Sequence, residues 1–270
     1  MAIKAADVKK LRDMTGAGMM ECKKALVEAE GDIDQAVEAL RIAGAAKAAK
    51  RADRQAANGI VAQEGNTVVE LLCETDFVAK NADFIALAEE IATVADTQQP
   101  ADAAALAELP LASGKTVGEA VADAAVVIGE KIELGRYSRL DGDVEVYMHQ
   151  RSADLPPAVG VLVAYTGDAG QAKSVAMQIA AMRPRFLTRD EVPADIVENE
   201  RRIAEATAIE EGKPERALPN IIDGRVNGFF KETVLLEQPS VQESKKTVAK
   251  VLEENGTSIT GFARIEIGQP

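Results

Sequence analysis

The side chains that most often perform catalysis are scarce in this chain of 270 residues, which has one histidine, His149, and two cysteines, Cys22 and Cys73. That count excludes a metal cluster of cysteines and histidines, and the cysteines form no Cys-x-x-Cys motif. A Ser-His-Asp or Cys-His site would have to use His149. Cys73 lies in an apolar segment, where a thiol stays protonated and inert. A thiol enzyme is therefore a weak alternative, and we expect no metal and no other cofactor.

A second candidate group occupies a short polar corner, Thr75–Val78, which follows a segment typical of a buried strand and precedes an amphipathic segment typical of a helix. Thr75 and Asp76 can each cap a helix N-terminus, and the helix dipole favours a carboxylate at that position. We therefore predict a tight corner or a single helical turn here.

The aromatic residue of this corner, Phe77, allows two interpretations. Phe77 and Phe84 are seven residues apart, so in an unbroken helix both would lie on the core face. Asn81 argues against that helix, because asparagine prefers caps to helix interiors. A similar corner later in the chain, Thr166-Gly167-Asp168, has no aromatic residue. Phe77 is thus either a core residue or a residue presented to a partner.

The elements that would position these residues indicate an α+β fold. Three short helices, at 4–14, at 19–30 and from Asp32 onward, form a small N-terminal bundle, and an extension or linker at 45–57 follows. Met19 and Met20 are adjacent on a helix and cannot both face inward, so at least one is available to a partner.

Two similar halves follow the bundle, each a small antiparallel sheet with helices on one face. Asp141-Gly142 predicts a hairpin between the strand before it and the strand after it, and the stretch between the two helices of the first half is expected to be irregular. The predicted strands are 59–61, 67–73, 131–140, 143–150, 158–165 and 258–267, and the predicted helices are 84–95, 116–128, one ending near 182, and 245–255.

Two further helical stretches, 189–211 and 214–230, interrupt the second half, and their short connection predicts an antiparallel helical hairpin. We therefore predict a three-helix module with a linker at 1–54, a core subdomain at 55–142, and a second core subdomain at 143–270. The inserted helical hairpin occupies 183–232 of the second subdomain.

The net charge of −13 and pI of about 4.7 argue against nucleic-acid binding, which needs lysine and arginine patches. The charge is uneven, because residues 1–58 contain 11 Lys and Arg against 9 Asp and Glu. The N-terminal module could therefore dock on an acidic surface. No apolar run approaches the ~20 residues of a membrane helix, and the N-terminus lacks a signal-peptide pattern. We expect a cytoplasmic protein.

Two longer motifs resemble the signatures of the bacterial elongation factor Ts family. The first is Thr75-Asp76-Phe77-Val78-Ala79-Lys80-Asn81. The second is Thr15-Gly16-Ala17-Gly18-Met19-Met20, followed by Cys22-Lys23-Lys24-Ala25-Leu26. The resemblance covers nearly the whole chain. It implies an exchange factor without catalytic chemistry of its own, which binds the GTPase elongation factor Tu and promotes GDP release.

The resemblance also implies roles for particular residues. Thr75, Asp76, Phe77 and Val78 would disturb the Mg²⁺ and phosphate site of elongation factor Tu, and Ile128 and His149 would contact the region of its phosphate loop. The N-terminal bundle would be a ubiquitin-associated-like module that docks through Arg12, Met19 and Met20.

Self-association is a further implication, since the inserted hairpin resembles the family's dimerisation subdomain. Many members of the family carry a helical tail beyond the last strand, and we expect this chain to lack it. An alternative from another class is an acidic scaffold or holdase that dimerises through 189–230 and binds partners regardless of nucleotide.

Overall fold

The structure, a computed structural model, describes residues 3–15, 17–49, 51, 53–243 and 245–269. Helices are combined there with two small antiparallel sheets of three strands each, which confirms the predicted α+β class. The described residues divide into two compact units. One lies within Met1–Ser138, Gln150–Ala158 and Ile265–Pro270, and the other comprises Arg139–His149 and Val159–Arg264.

The N-terminal module consists of helices α1 (Ala5–Thr15), α2 (Met19–Glu28) and α3 (Ile33–Ala49). Its small core is formed by residues at helical spacing, including the fully buried Leu11, Cys22 and Leu26. The three predicted helices are confirmed, and α3 continues into the expected extension. Gly16 of the predicted turn and Lys50 and Ala52 of the predicted linker lie outside the described residues.

The first sheet has the order β1-β2-β3, and β1 and β2 are antiparallel with Glu64 opposite Thr67. Its apolar face packs against helices, with Phe84, Leu71 and Ile91 fully buried. A short helix in the stretch expected to be irregular buries Leu106 in the same core. The elements are β1 (Asn58–Glu64), β2 (Thr67–Cys73), α4 (Asp76–Ala79), α5 (Ala82–Gln98), α6 (Ala103–Ala107), α7 (Val117–Ile128) and β3 (Glu133–Arg139).

The second sheet has the order β4-β5-β6. It comprises β4 (Val144–Gln150), β5 (Pro157–Thr166) and β6 (Ser258–Glu266), and α8 (Ala169–Met182) packs in the same core. The predicted hairpin at Asp141-Gly142 is wrong, because the strand before it belongs to the first sheet and the strand after it to the second. Gly142 has the positive φ that a tight turn needs, but a turn signal does not specify which strands pair.

The inserted hairpin is present as α9 (Ala194–Glu210) and α10 (Leu218–Thr233), which pack against each other over a core that includes Ala204, Ile222 and Phe230. The last helix, α11 (Val248–Glu254), leads into β6. Among the described residues, every helix is too short or too polar to cross a membrane.

Candidate functional site

The corner after β2 is a single helical turn, as predicted. Thr75 has extended backbone angles, and its Oγ1 accepts a hydrogen bond from the backbone N–H of Val78 at 3.4 Å, which caps α4. Ala79 and the half-buried Val78 turn inward onto the core of the first sheet. The inward side of α4 is thus anchored, and its outward side is left to Phe77.

Phe77 is 82% exposed, the highest fraction among the exposed large apolar residues of the described chain, whereas Phe84 is fully buried. The chain turns between them, because Asn81 Oδ1 accepts hydrogen bonds from the backbone N–H groups of Asp83 at 2.8 Å and Phe84 at 3.3 Å and starts α5. The unbroken helix and the core interpretation of Phe77 are therefore wrong, and Phe77 is presented to solvent.

Sequence analysis missed the carboxylate that holds the corner in place. Glu130 Oε2 accepts hydrogen bonds from the backbone N–H groups of Glu74 at 3.1 Å and Thr75 at 3.0 Å, and its Oε1 accepts one from Thr75 Oγ1 at 2.7 Å. These partners are 55 and 56 residues away in sequence, and no local motif marks such a contact. Charged acceptors make the stronger class of hydrogen bond.

A reciprocal contact runs in the opposite direction. Glu74 Oε1 accepts a hydrogen bond from the backbone N–H of Lys131 at 2.7 Å, and its Oε2 lies 3.1 Å from Arg54 Nη1. The Lys131 N–H, and secondarily Arg54, lower the pKa of the Glu74 carboxyl from its usual value. Asn58 Nδ2 donates to the Glu74 carbonyl oxygen at 2.8 Å. The corner is therefore connected to the segment after α7 by two carboxylates.

The second acidic group of the corner, Asp76, is half-exposed and lies 3.7 Å from Lys80. Lys80 makes its closer contact with Asp154, at 2.7 Å. The hydrogen bond from Lys80 lowers the pKa of Asp154 to about 2, and the same bond raises the pKa of Lys80. Asp76 thus shares its cation with a nearer carboxylate and keeps part of its charge open to solvent.

Cys73, at the end of β2, is fully buried, and its thiol donates to the Thr75 carbonyl oxygen at 3.2 Å. Burial, together with the nearby charge of Glu130, raises the pKa of Cys73 to about 12. The thiol is therefore protonated at neutral pH and is a poor nucleophile. In the described ranges, no three His, Cys, Asp or Glu side chains are grouped as metal ligands.

Ile128 is the last residue of α7 and is half-buried against the first core. Gly129, with φ of 85°, ends the helix in the left-handed region and leads directly to Glu130. His149 belongs to the second unit, where it is exposed at the end of β4, and its Nδ1 lies 3.2 Å from Tyr147 Oη. These two residues are thus on separate units, and Ile128 is covered more than His149.

The module residues Arg12, Met19 and Met20 are all exposed, so both methionines are open to solvent. Met20 and Val27 are seven residues apart on α2 and share one helix face. Three other exposed apolar residues of the module, Met14, Val27 and Ile42, were not predicted. Their exposure depends on how three helices pack, which spacing within one helix does not reveal.

The structure brings the corner residues and Ile128 together, because Glu130 bonds to the corner and lies two residues after Ile128. Arg12, Met19 and Met20 lie on the three-helix module of the same unit. The site is a protein surface of exposed apolar and charged groups around an inert thiol, and its geometry suits binding to another macromolecule.

Comparison with known proteins agrees with the family resemblance of the two motifs and covers nearly the full length of the chain. The family model for Elongation factor TS matches residues 74–269. The chain is 60% identical over 267 residues to Elongation factor Ts of Nocardioides sp., with 98% of each chain covered. It is 58% identical over 266 residues to the proteins of that name from Saccharopolyspora erythraea and Mycobacterium tuberculosis, again with 98% of each chain covered. On this basis the chain belongs to the elongation factor Ts family, a family of translation elongation factors.

Proposed function

We propose that this protein is a guanine-nucleotide exchange factor that binds GDP-loaded elongation factor Tu and promotes GDP release so that GTP can bind. The observation that carries the proposal is Phe77, which is 82% exposed on a helical turn that Thr75 caps and that packs inward through Val78 and Ala79. Family membership supports the choice of partner and reaction. The protein itself performs no covalent chemistry in this proposal and uses no cofactor.

Exchange of this kind depends on thermodynamic linkage. A GTPase holds GDP with backbone donors to the phosphates and with Mg²⁺. A factor that binds the nucleotide-free form more tightly than the GDP-loaded form must weaken GDP binding by the same ratio. The binding energy must therefore come from contacts that are complete only after the nucleotide site is distorted.

Phe77 can supply such a contact by inserting into an apolar gap between helices of the partner's GTPase domain. At about 25 cal/mol per Å² of apolar surface, covering a phenylalanine side chain contributes roughly 2–3 kcal/mol. This gain is available only when a gap opens to receive the ring. Because Val78 and Ala79 are anchored in the core, the ring enters on a supported turn.

The neighbouring groups act on charge and position. The half-exposed carboxylate of Asp76 would disturb the water shell of Mg²⁺ and repel the phosphates, and Thr75 would keep α4 capped beside it. Ile128 and His149 would press on the region of the phosphate loop. Their placement on separate units makes them two distinct contact regions of the proposed complex.

The three-helix module at 1–54 would supply docking affinity and little discrimination between nucleotide states. Its exposed Arg12, Met19 and Met20 provide one cation and two adaptable apolar side chains. In the proposed division of labour, the core subdomain at 55–142 carries the corner and the subdomain at 143–270 carries His149 and the inserted hairpin.

The decisive experiment is stopped-flow release of fluorescent GDP from elongation factor Tu with wild type and with Phe77→Ala. We expect strong acceleration by wild type and a loss of roughly a hundredfold in Phe77→Ala, because the free energy of covering the ring is lost in the distorted state. Val241→Ala is the matched control, since Val241 is an exposed apolar residue of the second unit.

No acceleration by folded wild type would reject exchange activity and leave a nucleotide-indifferent scaffold as the better explanation. Equal losses in Phe77→Ala and Val241→Ala would reject the insertion of Phe77 but not exchange itself.

We also propose that the protein forms a homodimer through the inserted hairpin. Ile203 and Ile209 of α9 are exposed, although the opposite side of that helix buries Ala204 and Ala208. Apolar side chains on the outer side of a helical hairpin are a feature of helix-mediated association.

A further inference from the structure

We infer that Glu130 is a positioning residue for nucleotide exchange, which locks the Phe77 corner and the C-terminal end of α7 into one fixed arrangement. The inference rests on the proposed function, because it assigns a role in presenting Phe77. It goes further in naming a group that has no place in either sequence motif and lies outside the predicted contact surface.

Three hydrogen bonds end on the carboxylate of Glu130. Glu130 accepts from two consecutive backbone N–H groups, those of Glu74 and Thr75, and from the Thr75 hydroxyl, at 2.7 to 3.1 Å. Two adjacent amides that point to one acceptor define the direction in which the chain leaves β2. The Thr75 hydroxyl that donates to Glu130 also accepts a hydrogen bond from Val78 N–H. The bonds of Glu130 to Glu74 and Thr75, which we call the clamp, are therefore linked to the cap of α4.

Glu130 is itself held by its neighbours on both sides in the chain. It follows Gly129, which ends α7 with φ of 85°, and it precedes Lys131, whose N–H donates to Glu74 at 2.7 Å. Each chain segment thus offers a carboxylate to the backbone amides of the other. This reciprocity prevents the two segments from sliding past each other, since a shift that keeps one set of bonds breaks the other.

The two segments carry different residues of the proposed contact surface. One carries Phe77 and Asp76, and the other ends in Ile128. The outward side of α4 has no packing of its own, because Phe77 contacts solvent. Without the carboxylate, two backbone N–H groups lose their acceptor and the corner can adopt other directions. Only the fraction of molecules with the corner in the productive direction would then drive exchange.

The test compares Glu130→Ala and Glu130→Gln in the full-length protein, by GDP release from elongation factor Tu over a range of exchange-factor concentrations. For Glu130→Ala we expect the maximal release rate to fall about tenfold, a fold-change typical of losing hydrogen bonds to a charged group. The half-saturating concentration should change less, because the three-helix module still docks. Glu130→Gln should retain most of the rate, since an amide oxygen can still accept from the backbone.

Glu119→Ala is the matched control. Glu119 Oε2 also accepts a backbone hydrogen bond, from Thr116 at 2.9 Å, but it caps the start of α7. It should lower stability without lowering the maximal release rate. An equal loss in Glu119→Ala would reduce the effect of Glu130→Ala to general destabilisation and overturn the inference. A loss of the maximal release rate in Glu130→Gln as large as that in Glu130→Ala would also overturn the inference. It would show that exchange depends on the charge of Glu130 and not on its hydrogen bonds.

Coupling to Phe77 separates positioning from direct contact. In the Phe77→Ala background, Glu130→Ala should reduce the rate by clearly less than its tenfold effect in the wild-type background, because the largest contact that a misdirected corner loses is already absent. If the losses of release rate in Glu130→Ala and Phe77→Ala multiply in full in the double variant, Glu130 acts independently of Phe77. That result would overturn the inference.

Hydrogen exchange of the free protein tests the clamp without the partner. The amides of Glu74 and Thr75 should exchange faster in Glu130→Ala than in wild type or Glu119→Ala. Unchanged exchange at both amides would refute the clamp even if wild type accelerates GDP release. If wild type does not accelerate release, the proposed function fails on its own, and this measurement still decides whether Glu130 holds the corner.

Discussion

At the scale of single residues, the short segment from Cys73 to Phe77 contains one buried side chain and one exposed side chain. Cys73 and Phe77 are four positions apart, yet the first is fully buried and the second is 82% exposed. The chain changes direction after β2. Cys73, on the strand, therefore stays in the core, whereas Phe77, on α4, faces solvent. The proposed binding surface therefore begins directly after a core strand.

The buried thiol leads to a prediction about reactivity. Because burial and Glu130 raise the pKa of Cys73 to about 12, its thiolate fraction at pH 8 is very small, and iodoacetamide reacts with the thiolate. Alkylation of Cys73 in the folded protein should be about a thousandfold slower than in denaturant, from the pKa difference of about three units. Peptide mass spectrometry over time distinguishes Cys73 from Cys22.

The denatured protein is the internal control, since both cysteines should react there at ordinary rates. Fast alkylation of Cys73 under native conditions would contradict the protonated thiol and would restore the enzyme alternative that uses Cys73 and His149.

At the scale of elements, most of the fold could be predicted from local patterns, because each helix and strand carries its own periodicity or cap. The corner illustrates this, since Thr75 and Asn81 cap the two helices that follow β2. The pairing of strands around Asp141-Gly142 could not be predicted, because sheet membership is set by contacts distant in sequence. The contacts of Glu130 could not be predicted for the same reason, because its partners are more than fifty residues away in sequence.

The contact between α3 and α7 leads to a prediction about helix packing. A Cβ atom added to Gly44 would lie 2.5 Å from Val126 Cγ1, so glycine lets the two helices approach closely. Overpacking a core costs about 1–3 kcal/mol, whereas replacing a helical glycine by alanine gains about 1 kcal/mol. Because the valine side chain is stiff at χ1, we expect Gly44→Ala to lower the free energy of unfolding by about 1 kcal/mol.

Denaturant unfolding of the single and double variants checks this. In a Val126→Ala background the obstructing methyl groups are absent, so Gly44→Ala should become stabilising there through helix propensity alone. A stabilising effect of Gly44→Ala in both backgrounds would show that α3 and α7 are not in close contact at Gly44.

At the scale of the whole molecule, charge and exposed apolar surface are unevenly distributed. The chain has a net charge of −13, while its N-terminal module is slightly basic and displays methionines. The corner, the module and the inserted hairpin each expose apolar side chains on a different set of elements. In the proposed exchange complex, these separate surfaces would supply several contacts with the partner.

The inserted hairpin leads to the prediction about assembly. Ile203 and Ile209, at 44% and 57% exposed, lie on α9 away from the alanines that pack on α10. If this outer side is the dimer interface, Ile203→Glu with Ile209→Glu should convert a dimer into a monomer, because it places charges in an apolar contact. Light scattering after size-exclusion chromatography over a range of concentrations measures the mass directly. Helical content should not change, as both positions are exposed.

Val241→Glu is the control for an added glutamate, because it places one negative charge, against two in the double variant, at an exposed valine of the same unit, outside the hairpin. It should leave the dimer intact. A wild type that stays monomeric at every concentration would reject self-association through α9, and a dimer that survives the double substitution would place the interface elsewhere. Neither result would affect nucleotide exchange, which in the proposed mechanism depends on the corner of one chain, so exchange by the monomeric variant would show that assembly and exchange are separate properties of the molecule.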